Sequence, residues 1–138
     1  IGNWLNIYSE GIYDTHQWIK DAQWSEGKRP EFSKSDFHSG FPIYEMTISP
    51  KEGNSVKEFW FTKKESNLYA FSPEWPKTKS IFIKDVKPTK ETNIALMGCD
   101  KSLKYKATSE GIIIDISSIG IRDLKSQFVF GFKISNIK

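Results

Sequence analysis

Apolar and polar positions change rhythm near residue 58. Before it, apolar residues are scattered or helical in spacing; after it, they alternate in short runs. Ile1, Trp4, Leu5 and Tyr8 recur at helical spacing, which predicts about two turns of helix over residues 1–8. So short a helix is marginal alone in water. Its apolar face is therefore expected to pack on something outside this stretch of chain and to be exposed without it. Residues 14–54 carry Trp18, Trp24, Phe32 and Phe37 with few periodic runs, and the polar cluster SEGKRP breaks them. These aromatics are too apolar for a free linker, so the segment reads as a connector lying against its neighbours. Within it, residues 41–49 alternate Ile43, Glu45 and Thr47 against Tyr44, Met46 and Ile48 behind Pro42, which suits an edge strand.

Residues 58–76, EFWFTKKESNLYAFSPEWP, read as a hairpin. Residues 58–62 and 68–72 are the two strands, joined by a polar connection whose turn type stays open without Asn-Gly or Asp-Gly. Phe59 and Phe61 fall on one face and Trp60 on the other; Leu68 and Ala70 oppose Tyr69 and Phe71. Strands apolar on both faces belong in the middle of an architecture, covered from two sides. Further strands follow at 80–86, 92–97, 103–107, 111–117 and 128–134. Ile81 and Ile83 point inward in the first, and Ile112, Ile114 and Ile116 in the fourth. Leu103, Tyr105 and Ala107 share a face in the third, as do Phe128, Phe130, Phe132 and Ile134 in the last. The spacing predicts an all-β fold: an antiparallel β-sandwich of about seven or eight strands, with a short N-terminal helix and an irregular connector.

Composition changes this picture little. The 138 residues carry a net charge of +3, with basic and acidic side chains interspersed. That balance is too weak and too mixed to argue for a nucleic-acid partner. No apolar run approaches the roughly 20 residues that span a bilayer, so no membrane partner is expected. Cys99 is the one cysteine, which excludes an internal disulfide and reads as a small buried apolar side chain. His16 and His38 are the only histidines, and with Cys99 they lack any ligand spacing, so no metal is expected. No nucleophile elbow, P-loop or dinucleotide fingerprint is present, and no cofactor is expected. Trp60 and Trp75 are the candidates for stacking on sugar rings. The plain alternative is that Trp60 packs the second face of its strand and Trp75 caps the hairpin beside Pro76.

Two separated stretches resemble one family. The opening IGNWLNIYSEGIYDTHQW is similar to the close of the catalytic domain in family 29 glycoside hydrolases, the α-L-fucosidases. Gly2, Trp4 and Leu5 match a G-x-W-L helix; Glu10, Ile12 and Tyr13 match the segment after it, and Thr15 and Trp18 follow in order. Tyr8 and Ser9 replace the usual Asn-Gly, and Gly11 an alanine. The hairpin resembles the family's C-terminal sandwich: Phe61 and Thr62, then Leu68, Tyr69 and Ala70, then Trp75 and Pro76. Trp60 stands where arginine is frequent. IALMG at 94–98, Tyr105 in place of a tryptophan, and SEGKRPEF extend the likeness.

The resemblance implies a parent that hydrolyses terminal α-L-fucosides with retention. Such enzymes use an aspartate nucleophile and an acid/base carboxylate about 5–5.5 Å apart. In the family these lie upstream, in a parallel-stranded barrel, so no catalytic residue can be carried onto this chain. It implies three parts: 1–18 as the tail of the barrel, 19–57 as the connector and 58–138 as the sandwich. The expected partners are the upstream barrel and, through the parent enzyme, fucosylated glycans. The parent is expected to be exported or lysosomal. Two roles for the sandwich stay open, a buttress for the barrel and a carbohydrate-binding module using Trp60 or Trp75.

Overall fold

The computed structural model describes residues 2–28, 52–125 and 129–138. Its core is a two-sheet sandwich, as the alternation predicts. A helix α1 (Gly2–Tyr8) leads into a 3₁₀ turn (Ser9–Gly11) and then β1 (Ala22–Trp24). Next come β2 (Lys57–Lys64), β3 (Asn67–Ser72), β4 (Ser80–Lys84) and β5 (Pro88–Leu96). Then come β6 (Ser102–Leu103), β7 (Tyr105–Ala107), β8 (Gly111–Asp115) and, after a second 3₁₀ turn (Ile121–Asp123), β9 (Phe130–Ile137). One sheet has the order β1-β2-β3-β9-β5-β6 and the other β4-β8-β7, with every named pairing antiparallel.

Side-chain alternation fills the space between the sheets. Phe59 and Phe61 of β2, Leu68 and Ala70 of β3, and Phe130, Phe132 and Ile134 of β9 meet Ile81, Ile83, Ile112 and Ile114 across the sandwich. These are the faces that the period-two pattern selects. Ile113, on the other face of β8, is exposed. The hairpin is tighter than its polar connection suggests: Lys64 pairs with Asn67, leaving a two-residue turn. Glu65 opens that turn with φ of 54°, a conformation usually left to glycine or asparagine.

The structure differs from the sequence pattern in three places. First, the connector contributes a strand: β1 pairs with β2, with Ala22 opposite Trp60 and Gln23 opposite Phe59. Second, the run 103–107 is split between sheets. Leu103 pairs with Ile94 in the larger sheet, whereas Tyr105–Ala107 pairs with β8 in the smaller. The chain turns the corner at Lys104, whose carbonyl accepts from the Asp115 N–H at 2.8 Å. Leu103 is therefore buried, Tyr105 half-buried and Ala107 exposed. Third, β5 starts at Pro88, with a register irregularity before Asn93. There the Thr89 and Thr92 hydroxyls donate to the Asn136 carbonyl at 2.8 and 2.9 Å.

The largest correction concerns α1. Its apolar face is not left exposed. Tyr8 is 1% exposed and forms a second cluster with Tyr69, Phe71 and Met97 on the outer face of the larger sheet, with Trp4 and Ile7 packed against it. The outer face of the hairpin is thus covered in part by α1 rather than by the connector. Trp18, where the tail meets the connector, instead enters the inter-sheet core, edge-on to Phe61 at 5.1 Å. The edge strand read at 41–49, Phe128, His38, Phe32 and Phe37 lie outside the described residues.

Candidate functional site

The outer face of the larger sheet is the first place where the fold gathers distant groups. α1 can lie on it because two glycines clear the way. A Cβ on Gly131 of β9 would come within 2.8 Å of the Tyr8 ring and 3.0 Å of Phe71. A Cβ on Gly11 would come within 2.6 Å of the Phe71 ring. Such distances are below real van der Waals contact, so both positions need glycine for packing. The aromatic rings then meet: Trp4 and Tyr8 lie 4.8 Å apart, and Tyr8 stands edge-on to Phe71 at 6.3 Å.

Polar contacts fasten the same segment. The Trp4 indole donates to the Val129 carbonyl at 3.2 Å, and the Thr62 hydroxyl donates to the Gly11 carbonyl at 2.5 Å. Lys133 Nζ lies 2.6 Å from Glu10 Oε1 and over the Tyr69 ring. Burial, with the Glu10 charge and hydrogen bond adding to it, pushes the Tyr69 phenol up to about 12. Burial also raises the Tyr8 phenol.

The two tryptophans singled out by sequence are not brought together. Trp75 is half-buried and turns inward, edge-on to Phe130 at 5.3 Å and stacked near Phe132 at 6.0 Å. Trp60 is half-buried on the other face of β2, opposite Phe71 in register, with Lys57 Nζ 5.7 Å from its ring centre. The same ammonium lies 5.4 Å from the Trp24 ring. His16 is exposed, its Nδ1 within 2.9 Å of the Gln17 carbonyl oxygen, and its backbone bridges to Lys63. Cys99 is half-buried against the inter-sheet core. Among the described residues no group of three or more metal-binding side chains converges.

Sequence reasoning missed a cleft at one end of the sandwich. Its volume is about 210 Å³. The start of β2, the end of β3, the connection after it and the start of β4 line it, including Glu58, Phe59, Ser72, Thr78, Ser80 and Phe82. Burial raises the Glu58 carboxyl above its ordinary range, and the positive charge of Lys84 partly offsets this. The only signal in the sequence was a carboxylate inside an apolar strand, which does not say what surrounds it. At the opposite end, Lys20 Nζ pairs with Asp85 at 3.1 Å and sits over the Trp18 and Phe61 rings.

Comparison with known proteins agrees with this architecture. Residues 52–135, more than half of the chain, match the family described as the alpha-L-fucosidase C-terminal domain. The human tissue alpha-L-fucosidase is 23% identical over 139 aligned positions, which take in 100% of this chain and 23% of that protein. The human plasma alpha-L-fucosidase is 22% identical over 141, covering 99% and 24%. The chain thus spans about a quarter of the length of these relatives. The crystal structure of Thermotoga maritima alpha-fucosidase superposes with a TM-score of 0.57 at 16% identity, over 96% of this chain and 24% of that one. That likeness is one of fold. The matched span opens five residues before β2 and ends within β9, so it takes in nearly all of the two-sheet core. The chain belongs to the α-L-fucosidase C-terminal domain family, as a C-terminal region of an α-L-fucosidase.

Proposed function

We propose that this chain is the accessory sandwich of a retaining α-L-fucosidase, a buttress for the catalytic barrel that holds no catalytic carboxylate itself. The observation that carries the reading is the coincidence of the family match at 52–135 with the sandwich core. Its parent removes terminal α-L-fucose from glycans, with a nucleophile and an acid/base carboxylate supplied by the upstream domain. Residues 1–18 belong to the junction with that domain. Ile12 and Tyr13, exposed directly after the helix segment, supply apolar surface for the contact. The inward packing of Trp75 against Phe130 and Phe132 favours a structural role for that residue over a sugar platform. The parent is exported or lysosomal; the name of the plasma relative supports this, and no helix among the described residues is long and apolar enough to cross a membrane.

The test is an assay of the purified 138-residue chain on an aryl α-L-fucoside, beside the longer enzyme that carries it. No turnover by the chain and turnover by the longer enzyme are expected. Hydrolysis by the chain that survives stringent repurification overturns the reading, and so does an inactive longer enzyme.

A further inference from the structure

We propose that the cleft beside Glu58 is a binding subsite for one neutral sugar ring, separate from the two tryptophans. Its polar lining explains the ligand class. The Ser72 hydroxyl already donates to the Glu74 carbonyl at 2.7 Å, and the Thr78 hydroxyl to the Ser80 carbonyl at 2.6 Å. What these two hydroxyls have left to offer is oxygen lone pairs. The carboxylate of Glu58 likewise only accepts when ionised. The cleft therefore asks for a ligand rich in hydrogen-bond donors. Half-buried Phe82 is the apolar side chain in the lining that is left partly open, which suits the C–H face of a pyranose. Lys84 places a positive charge near Glu58, which favours a neutral polyol over a cation. A volume of about 210 Å³ falls below the roughly 300–1,000 Å³ of drug-sized sites, so the ligand is a single ring and not a chain buried along its length.

The choice of a sugar rests on reading the parent as a glycan hydrolase, and the two ideas fail separately. The experiment is an NMR titration of the ¹⁵N-labelled chain with L-fucose, D-galactose and, as a cationic donor of small size, ethylguanidinium. Saturable shifts at residues 56–59, 72–74, 76–78 and 80–82 are expected with at least one sugar. Glu58→Gln is expected to weaken that binding about tenfold, which corresponds to 1.4 kcal/mol. Thr78→Trp, on an exposed position at the rim, is expected to abolish it by filling the cleft. Retention of the wild-type amide spectrum outside the cleft shows that each variant is folded. Shifts confined to Trp60 or Trp75, a response to ethylguanidinium with silent sugars, unsaturable shifts, or sugar binding unchanged in both variants overturns the proposal. An active longer enzyme alongside a silent cleft leaves the enzyme reading intact and removes the subsite alone.

Discussion

Gln23 shows how much one polar side chain decides. It is 5% exposed, and its amide spans the gap between sheets. Nε2 donates to the Phe82 carbonyl at 2.7 Å, and Oε1 accepts from the Lys84 N–H at 2.9 Å. These are two backbone groups of β4, the edge of the smaller sheet, so Gln23 stands in for a missing neighbour strand. Gln23→Leu keeps the bulk and strands both groups. Each stranded group costs about 1–3 kcal/mol, so a loss of roughly 2–6 kcal/mol is expected in chemical denaturation. A loss below about 0.5 kcal/mol would show that water replaces the amide. Gly131→Ala tests the close approach of Tyr8. Overpacking of this kind costs about 1–3 kcal/mol, and a lowered melting temperature is expected. An unchanged one would mean that α1 shifts without penalty.

Among the elements, α1 shows most clearly a place that its own residues do not specify. Its covering of Tyr69 and Phe71 makes the outer face of the sheet a second core. Tyr8→Ala is expected to cost about 3–5 kcal/mol, the range for a buried large aromatic, and to release the amides of residues 2–11 to rapid hydrogen exchange. Retained protection there would place the helix on other supports. The Glu10–Lys133 pair, with side chains 50% and 30% exposed, adds only about 0.2–1 kcal/mol. Tyr69 gives the same interface an alkaline limit. Its phenol is raised from 10.0 to about 12 in the fold. The stability it contributes is complete below pH 10 and is lost as pH climbs towards about 12. Tyr69→Phe should flatten the fall in melting temperature over that window. An equally steep fall in the variant would assign it to other groups, Tyr8 included.

At the scale of the molecule, the two sheets are closed at both long edges by different means. On one side the Gln23 side chain joins β1 to β4; on the other the backbone crosses from β6 to β7 at Lys104. This arrangement leaves the core residues little freedom to repack. Phe61, 4% exposed and in contact with both Trp18 and Phe59, is the position to test. Phe61→Ala should cost about 3–5 kcal/mol. A domain of this size holds about 5–15 kcal/mol in total, so the variant should be largely unfolded at elevated temperature, as read by circular dichroism. A melting curve like that of the wild type would mean that Trp18 collapses into the space.

The sequence by itself determined the class of fold, the inward faces of its main strands and the family. Alternation has a period of two only when one face is buried and the next residue must point away. That is why Ile81, Ile83, Ile112, Ile114, Phe130, Phe132 and Ile134 were legible one by one. Apolar residues on both faces of the hairpin likewise announced a second covered side. What covered it was decided only in three dimensions, because periodicity records that a face is buried and never which element buries it. The same limit hid the division of residues 103–107 between two sheets, since turning a corner at Lys104 preserves the alternation. It also hid β1, three residues too short to show a period. The cleft beside Glu58 was invisible for a related reason: its lining comes from three segments of the chain, and only tertiary packing brings them together.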